Sequence, residues 1–398
     1  MKHYLLLVII AVALLGYIIF PQTSEAEEER PFVNPHQAAL LKDYEAFLQQ
    51  SSLPGMAIAI VRDTSIIYLK GFGQKAMGHP GEVDVNTVFR IGSLSKGFAA
   101  ALAALLEEED QLNWDDLLVT HLPDFKLKSA QDSRQLTVEH LLSHSSGLPY
   151  HTYTNLVEAG QNSKQIIQAL ADIKLNATPG TQYSYQNAIY SLIDPILARR
   201  SGQPFDELMR RRLFQPLGMK EASTSYEGIA GHGNKALPHR RAGGRWQPAQ
   251  LTTKYYNAIA AGGINASISD MAQWLQALLG NRPDVLNKAV LDDLFTPRIK
   301  TPIKARYFSE WPQVEQSYYA LGWRILDYDG ETVVYHGGFV NNFRSEIAIN
   351  RKEKIGICVL INAPGRFTKR CIPEFLNRYK QRRDSILVAE QQDPRLLK

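Results

Sequence analysis

The chain reads as an α/β (α+β) fold. One mostly antiparallel sheet takes its strands from both ends of the sequence, is flanked by helices, and carries an inserted all-helical lobe. Three observations predict this. Strand-like stretches stand early, at Met56–Val61 and Ser65–Lys70, and return only after residue 318. Residues 110–300 between them carry mostly helical spacings with Pro and Gly punctuation. Amphipathic helices, Ala38–Gln50 and about 368–380, stand near the two ends, where they can cover the sheet.

The elements follow in order. Lys2 and His3 precede an unbroken apolar run from Tyr4 to Phe20, followed by Pro21 and the acidic Glu25, Glu27, Glu28 and Glu29. A positive end before an apolar core orients such a segment with its start in the cytoplasm and the body outside. Ser24-Glu25-Ala26 has the small-x-small form of a cleavage site. Residues 1–26 are therefore expected to be a signal peptide or an N-terminal anchor, with residues 4–20 as an inner-membrane tether if retained. The expected location is extracytoplasmic. Residues 27–34 read as a linker, 35–383 as the folded domain and 384–398 as a polar tail. Within the domain the sheet lobe is expected at about 35–90 and 318–383, and the helical lobe at about 91–300.

The helical lobe opens with Ser95–Glu109, where Phe98, Leu102, Leu105 and Leu106 repeat at helical spacing. Further helices are expected at Thr137–Leu142, Ser163–Ile173, Ala188–Arg200, Phe205–Phe214, Ile268–Leu279 and Leu286–Phe295. The stretch 226–254, rich in Gly, Arg and His, reads as an irregular loop region. The late strands are Tyr319–Leu326, Thr332–Tyr335, Phe343–Ile349 and Lys354–Ile361. Cys358 falls in a strand and Cys371 in a helix, so two buried thiols are a simpler reading than a bridge, although a disulfide is allowed outside the cytoplasm.

Composition narrows the function classes. The 398 residues are 21% charged and 44% hydrophobic, which excludes wholesale disorder, a polytopic membrane protein, a collagen and a coiled coil. A net charge of +4 over this length is weak. The short basic runs Arg210-Arg211-Arg212 and Lys380, Arg382, Arg383 read as solvated helix faces, so no nucleic-acid partner is expected. The phosphate loop G-x-x-x-x-G-K-[ST], the G-x-S-x-G elbow and H-E-x-x-H are all missing. His140 and His144 have the i, i+4 spacing of a zinc pair, with His151 as the one further candidate ligand. Capping or packing histidines are the better reading, and no metal or organic cofactor is expected.

Three short motifs could carry chemistry together. Ser93-x-x-Lys96 is the only Ser-x-x-Lys in the chain and sits where a strand-like stretch hands over to a helix. That places Ser93 at a helix N-terminus, where unpaired N–H groups favour developing negative charge. Lys96, one turn on, shares its face. Desolvated there, it could lower its pKa and take the serine proton. Read alone, the motif is equally a serine cap followed by a surface lysine. Tyr-x-Asn occurs three times, at Tyr153, Tyr185 and Tyr255. The middle copy is favoured because Pro179-Gly180 makes a turn and Asn187 opens a helix, a rigid corner that can face a cleft. His336-Gly337-Gly338 ends a β-branched strand; two glycines let a substrate approach the backbone, and a strand edge offers N–H donors to an oxyanion.

In that order these motifs resemble the serine β-lactamase/penicillin-binding superfamily, in its class C branch with the related DD-peptidases and esterases. His140-Leu-Leu-Ser-His-Ser-Ser-Gly-Leu148, Phe214-Gln-Pro-Leu-Gly-Met219, and Ala261-Gly-Gly-Ile264 leading into Asp270–Trp274 are similar too, so the resemblance runs from about residue 35 to 378. It implies the β-lactamase/transpeptidase-like fold. It also implies Ser93 as a nucleophile forming an acyl-enzyme, with Lys96 and Tyr185 sharing the proton work. Asn187, His336, Gly338 and Arg344 would bind substrate, and the backbone N–H groups of Ser93 and Phe339 would form the oxyanion hole.

The departures matter. Neither Ser-Asp-Asn nor Lys-Thr-Gly is present, and His336 stands where class C enzymes carry lysine. A histidine with an ordinary pKa near ~6.5 is mostly neutral at pH 7. The anchor for a β-lactam carboxylate is therefore weakened unless Arg344 supplies it. The expected activity is hydrolysis of an ester or amide, such as a D-amino-acid peptide or a small ester, with slow or no β-lactam turnover. The alternative is a penicillin- or peptidoglycan-binding sensor or scaffold of the same fold, against which the complete Ser/Lys/Tyr set argues.

Overall fold

The computed structural model describes residues 33–303 and 308–392. Twelve strands occur among them: β1 Gly55–Arg62, β2 Ser65–Gly73, β3 Phe89–Arg90, β4 His239–Ala242, β5 Arg245–Pro248, β6 Asn265–Ala266, β7 Ile299–Lys300, β8 Val314–Tyr319, β9 Arg324–Tyr328, β10 Glu331–Val340, β11 Phe343–Asn350 and β12 Ile355–Ile361. Eight form one sheet in the order β2-β1-β12-β11-β10-β9-β8-β7. Its pairs are antiparallel, and β1 meets β12, so the early and late strands join as the sequence predicts.

Every residue of β1 and of β12 is buried, because the sheet is covered on both faces. Alternation divides their side chains. Ala57, Ala59, Val61, Cys358 and Leu360 face a core shared with the helices Ser95–Glu108 and Ile268–Leu278. Met56, Ile58, Ile60, Ile357, Val359 and Ile361 face Tyr44, Phe47, Phe375 and Tyr379 of the first and last helices. The first helix, Pro35–Gln49, starts at a capping box of Asn34 and Gln37.

Several boundaries differ from the sequence reading. The last helix runs from Cys371 to Gln392, so most of the expected polar tail is helical. Arg62 and Gln37 bond to Glu390 and Ile386 is buried, and these contacts dock a segment whose charges had read as solvent-bound. The expected strand Tyr319–Leu326 is two strands, β8 and β9. Gly322 turns the chain between them at φ +76°, where a Cβ would lie 2.7 Å from the Lys96 carbonyl oxygen. The expected helix Ala188–Arg200 is broken into Asn187–Tyr190 and Ile193–Ser201. The expected Phe205–Phe214 helix loosens into a π-turn from Arg210. The region 226–254 holds the helix Tyr226–Ala230 and the β4–β5 hairpin rather than only loop, so the inserted lobe is not all-helical; β3–β6 is a second small sheet there. Finally, His336-Gly337-Gly338 lies inside β10 and does not end it.

Cys358 and Cys371 are free, buried thiols, and burial pushes both well above the ordinary thiol range. The apolar run 4–20 and the linker 27–32 lie outside the described residues. Among the described residues no helix is long and apolar enough to cross a membrane.

Candidate active site

A cleft of about 570 Å³ opens where the free end of β10 meets the inserted lobe. Ser93 lines it from the 3₁₀ turn Gly92–Leu94, which runs directly into the helix Ser95–Glu108. The turn is pressed against β10. A Cβ on Gly338 would meet Ile91 O at 2.2 Å and lie 3.2 Å from Ser93 N, and a Cβ on Gly92, already at φ +52°, would lie 2.9 Å from Phe339 N. Only glycine fits this approach. The Ser345 hydroxyl donates to Ile91 O at 2.6 Å and fastens the turn to β11.

The hairpin sets the direction of the Phe339 N–H. Asn341 and Asn342 both have positive φ, 47° and 63°, the type I′ geometry of a two-residue turn. The flanking pair Val340–Phe343 is then hydrogen-bonded, and alternation makes Phe339–Arg344 a non-bonded pair. The Phe339 N–H therefore points off the other edge of β10. Strand β9 covers that edge only as far as Tyr335, so the N–H faces the Ser93 turn. The first N–H groups of a helical turn also lack intrahelical partners. Two main-chain donors thus flank one corner of the cleft.

Lys96 is fully buried beneath that corner. Its Nζ donates to Asn187 Oδ1 at 2.8 Å and to Ala261 O at 2.7 Å. None of its donors reaches Ser93. Burial holds its pKa well below the ordinary lysine range. A neutral amine has two N–H bonds and one lone pair. In the neutral form, both N–H bonds are accounted for, which leaves the lone pair to accept a proton. The Tyr185 and Tyr190 rings stand 4.9 and 5.1 Å from Nζ, and the Tyr190 hydroxyl donates to Lys96 O at 2.8 Å. Asn187 donates through Nδ2 to the Tyr255 hydroxyl at 3.1 Å, so this one amide bridges an amine and a phenol.

His336 lines the cleft with both ring nitrogens engaged. Nδ1 stands 3.0 Å from Gly337 O and must carry a proton there, and Nε2 accepts from the Tyr319 hydroxyl at 2.9 Å. Burial first, then the charge of Arg324, push its pKa well below the ordinary value. It is a neutral ring at pH 7. Among the described residues the cations facing the cleft are Arg324, Arg344 and Lys254. Arg324 donates to the Tyr183 hydroxyl at 3.0 Å. Arg344 stands 3.8 Å from Glu346 and packs on the Phe339 ring, 5.6 Å from its centroid. Lys254 pairs with Glu158 at 3.2 Å across exposed positions at the mouth.

The Beta-lactamase family profile matches residues 40–376. The chain belongs to the beta-lactamase family. It is 28% identical over 319 residues to Unguisins hydrolase ungD' of Aspergillus campestris, a match covering 76% of this chain and 57% of that protein. It is 24% identical over 335 residues to Protein flp of Staphylococcus aureus strain MW2, covering 83% and 64% respectively. The chain thus spans less than two thirds of each of these curated relatives. Among solved structures, the octameric penicillin-binding protein homologue from Pyrococcus abyssi superposes with a TM-score of 0.74 at 25% identity, over 90% of this chain and 80% of that one.

Within this beta-lactamase-family fold, Ser93, Tyr185, Asn187, His336, Phe339 and Arg344 all line one cleft, with Lys96 and Gly338 beneath it. The zinc geometry does not form. His140 caps the helix Val138–Leu142 through Thr137, while His144 lies beyond its end at φ +58°. No trio of metal-ligating side chains is grouped among the described residues. Sequence reasoning missed Arg324, Lys254, Tyr150 and Tyr255. Tyr255 belongs to the third Tyr-x-Asn copy, which had been set aside; its asparagine, Asn257, bonds elsewhere, to Val157 O and Gln161 O. The others carry no local signal, since only the fold brings them to the cleft.

Proposed function

We propose that this chain is a serine hydrolase that forms an acyl-enzyme on Ser93 and cleaves an ester or amide. The observation that carries the reading is the convergence on one cleft corner of a serine, a buried amine whose charged form burial disfavours, a phenol and two main-chain N–H donors. Ser93 Oγ attacks the substrate carbonyl. Its proton passes to the Lys96 lone pair, directly or through the Tyr185 hydroxyl. The oxygen that gains negative charge lies between the N–H groups of Ser93 and Phe339; losing one such donor typically costs about 3 kcal/mol of barrier. The proton returns to the leaving group, the bond to it breaks, and water then releases the acyl group by the same path reversed. The related protein named a hydrolase supports the reaction class.

The rim suggests the substrate. His336 presents no cation, so a carboxylate or other anion near the scissile bond would be met by Arg344 and Arg324. Tyr150 and Phe339 are two of the four exposed large hydrophobic residues among the described residues, and both line this cleft. Exposed aromatics at a cleft mouth fit an apolar group on the substrate. A screen of p-nitrophenyl esters, D-Ala-D-Ala peptides and nitrocefin tests the reading. Ester or peptide turnover that vanishes in Ser93→Ala supports it. Nitrocefin turnover near the diffusion limit would contradict the substrate part. An extracytoplasmic location is proposed from residues 2–29 alone, and cell fractionation with an antibody to the folded domain decides it.

A further inference from the structure

His144 has no part in the mechanism above, yet it is fully buried and held at a positive φ that non-glycine residues seldom adopt. Its contacts converge on one neighbour. The His144 carbonyl accepts the Ser184 N–H at 2.8 Å. Its Nδ1 accepts the Gln186 N–H at 3.2 Å. The residues before and after Tyr185 are therefore tied to the same histidine. The imidazole also lies against the Tyr185 ring, with centroids 4.2 Å apart. A third tie, the His151 N–H to Tyr185 O at 3.1 Å, closes the corner from the cleft side.

The protonation state follows from these bonds. Nδ1 can accept only if it carries no proton, so the ring is neutral with its hydrogen on Nε2. That Nε2 has no hydrogen-bond partner among the described residues. Tyr190 and Tyr319 wall it in, at 5.1 and 4.8 Å between ring centroids. A purely space-filling position would be better served by phenylalanine, which leaves no donor unpaired. What the imidazole adds is an acceptor for the Gln186 N–H in a place water does not reach.

We infer that His144 is a positioning residue for Tyr185, setting the depth and direction of its hydroxyl in the cleft by holding the main chain on both sides of it. The inference rests on the proposed role of Tyr185 in proton transfer. Tyr185 sits in the short non-helical stretch between the Pro179-Gly180 turn and the short helix Asn187–Tyr190. A chain without side-to-side bonds there could shift its phenol by the fraction of an ångström that matters to proton transfer.

The test measures kcat, KM and thermal unfolding for p-nitrophenyl acetate hydrolysis by the full chain and three variants. His144→Asn keeps an acceptor near the Nδ1 position and tolerates positive φ. His144→Phe keeps a ring and removes the acceptor. Tyr185→Phe reports on the phenol itself and is expected to lower kcat about 100-fold. The inference predicts that His144→Phe lowers kcat at least about tenfold with KM nearly unchanged, and that His144→Asn stays within about fivefold of wild type. Wild-type kcat in His144→Phe, with Tyr185→Phe impaired, overturns the inference and leaves the proposed function standing. Equal losses in Asn and Phe also overturn it, because the acceptor would then not be what matters. Wild-type kcat in Tyr185→Phe overturns the role of Tyr185 in proton transfer, and the inference with it, and leaves the direct path from Ser93 to Lys96 standing. If His144→Phe does not fold, His144→Ala takes its place with the same expected split against Asn.

Discussion

The floor of the cleft and its mouth are built on opposite physical terms. On the floor, Lys96, Asn187, Tyr190, His144 and His336 are buried, and nearly all of their polar atoms meet fixed partners at 2.7–3.2 Å. At the mouth, Tyr150 is 65% exposed, Phe339 51%, and the Lys254–Glu158 pair stands in solvent. The dry floor disfavours charge on the amine and on both imidazoles. The mouth leaves its aromatic rings uncovered. The contrast teaches a division of labour: reactivity is set where water is excluded, and substrate choice is left to side chains that can change without disturbing it.

The largest expected effect lies on the floor. Lys96→Met removes the proton acceptor and should lower kcat/KM about 10³-fold. The pH profile of wild type sharpens this. Lys96 works only uncharged, so kcat/KM should rise with pH through its depressed pKa and level off well before pH 10.5, the ordinary lysine value. A profile still climbing at pH 10.5 would mean that burial does not discharge the amine.

The next effect is on stability, at the boundary between the two regions. Glu346 is buried behind Arg344 and bonded by the Tyr335 hydroxyl. Burial raises its pKa from 4.5 to about 7, against the opposing pull of Arg344. The folded state therefore binds more protons than the unfolded state between those values, and stability should fall as pH rises through them. At about 1.4 kcal/mol per unit, the loss is about 3 kcal/mol. Urea unfolding at pH 5 and pH 8 measures it, and Glu346→Gln should flatten the difference.

Smaller effects belong to the mouth. Arg344→Ala should raise KM about tenfold for a carboxylate-bearing ester and leave its uncharged counterpart much less affected. Equal losses on both would place Arg344 in folding rather than recognition. Lys254→Met should change kcat/KM by no more than about twofold, because exposed ion pairs contribute little. A tenfold change there would erase the contrast between mouth and floor.

The same contrast governs what could be read from the sequence. Ser93, Lys96, Tyr185, Asn187 and His336 sit in short motifs that are ambiguous one by one, and it was their order along the chain, through the family it resembles, that named them before any coordinates. The joining of early and late strands was legible because both ends carry buried β-branched runs. Tyr150 and Lys254 come from loops whose course depends on tertiary packing, and Arg324 at the start of β9 had no neighbours in sequence to mark it. The end of β10 was misplaced because two glycines look like a turn, whereas they serve the close approach of the Ser93 turn and the chain reverses at Asn341-Asn342. The helical tail was missed because Ile386 is the one buried residue of 384–392 and Glu390 adds only polar ties, too few apolar positions to make a period.

The central claim is that the Ser93 hydroxyl is the one made nucleophilic in this cleft. Intact-mass analysis after incubation with a fluorophosphonate tests it most directly. The account predicts a single phosphonyl adduct on the wild-type chain, mapped to Ser93 by peptide sequencing and missing from Ser93→Ala. An unlabelled wild-type chain, or an adduct that persists in Ser93→Ala, would contradict it.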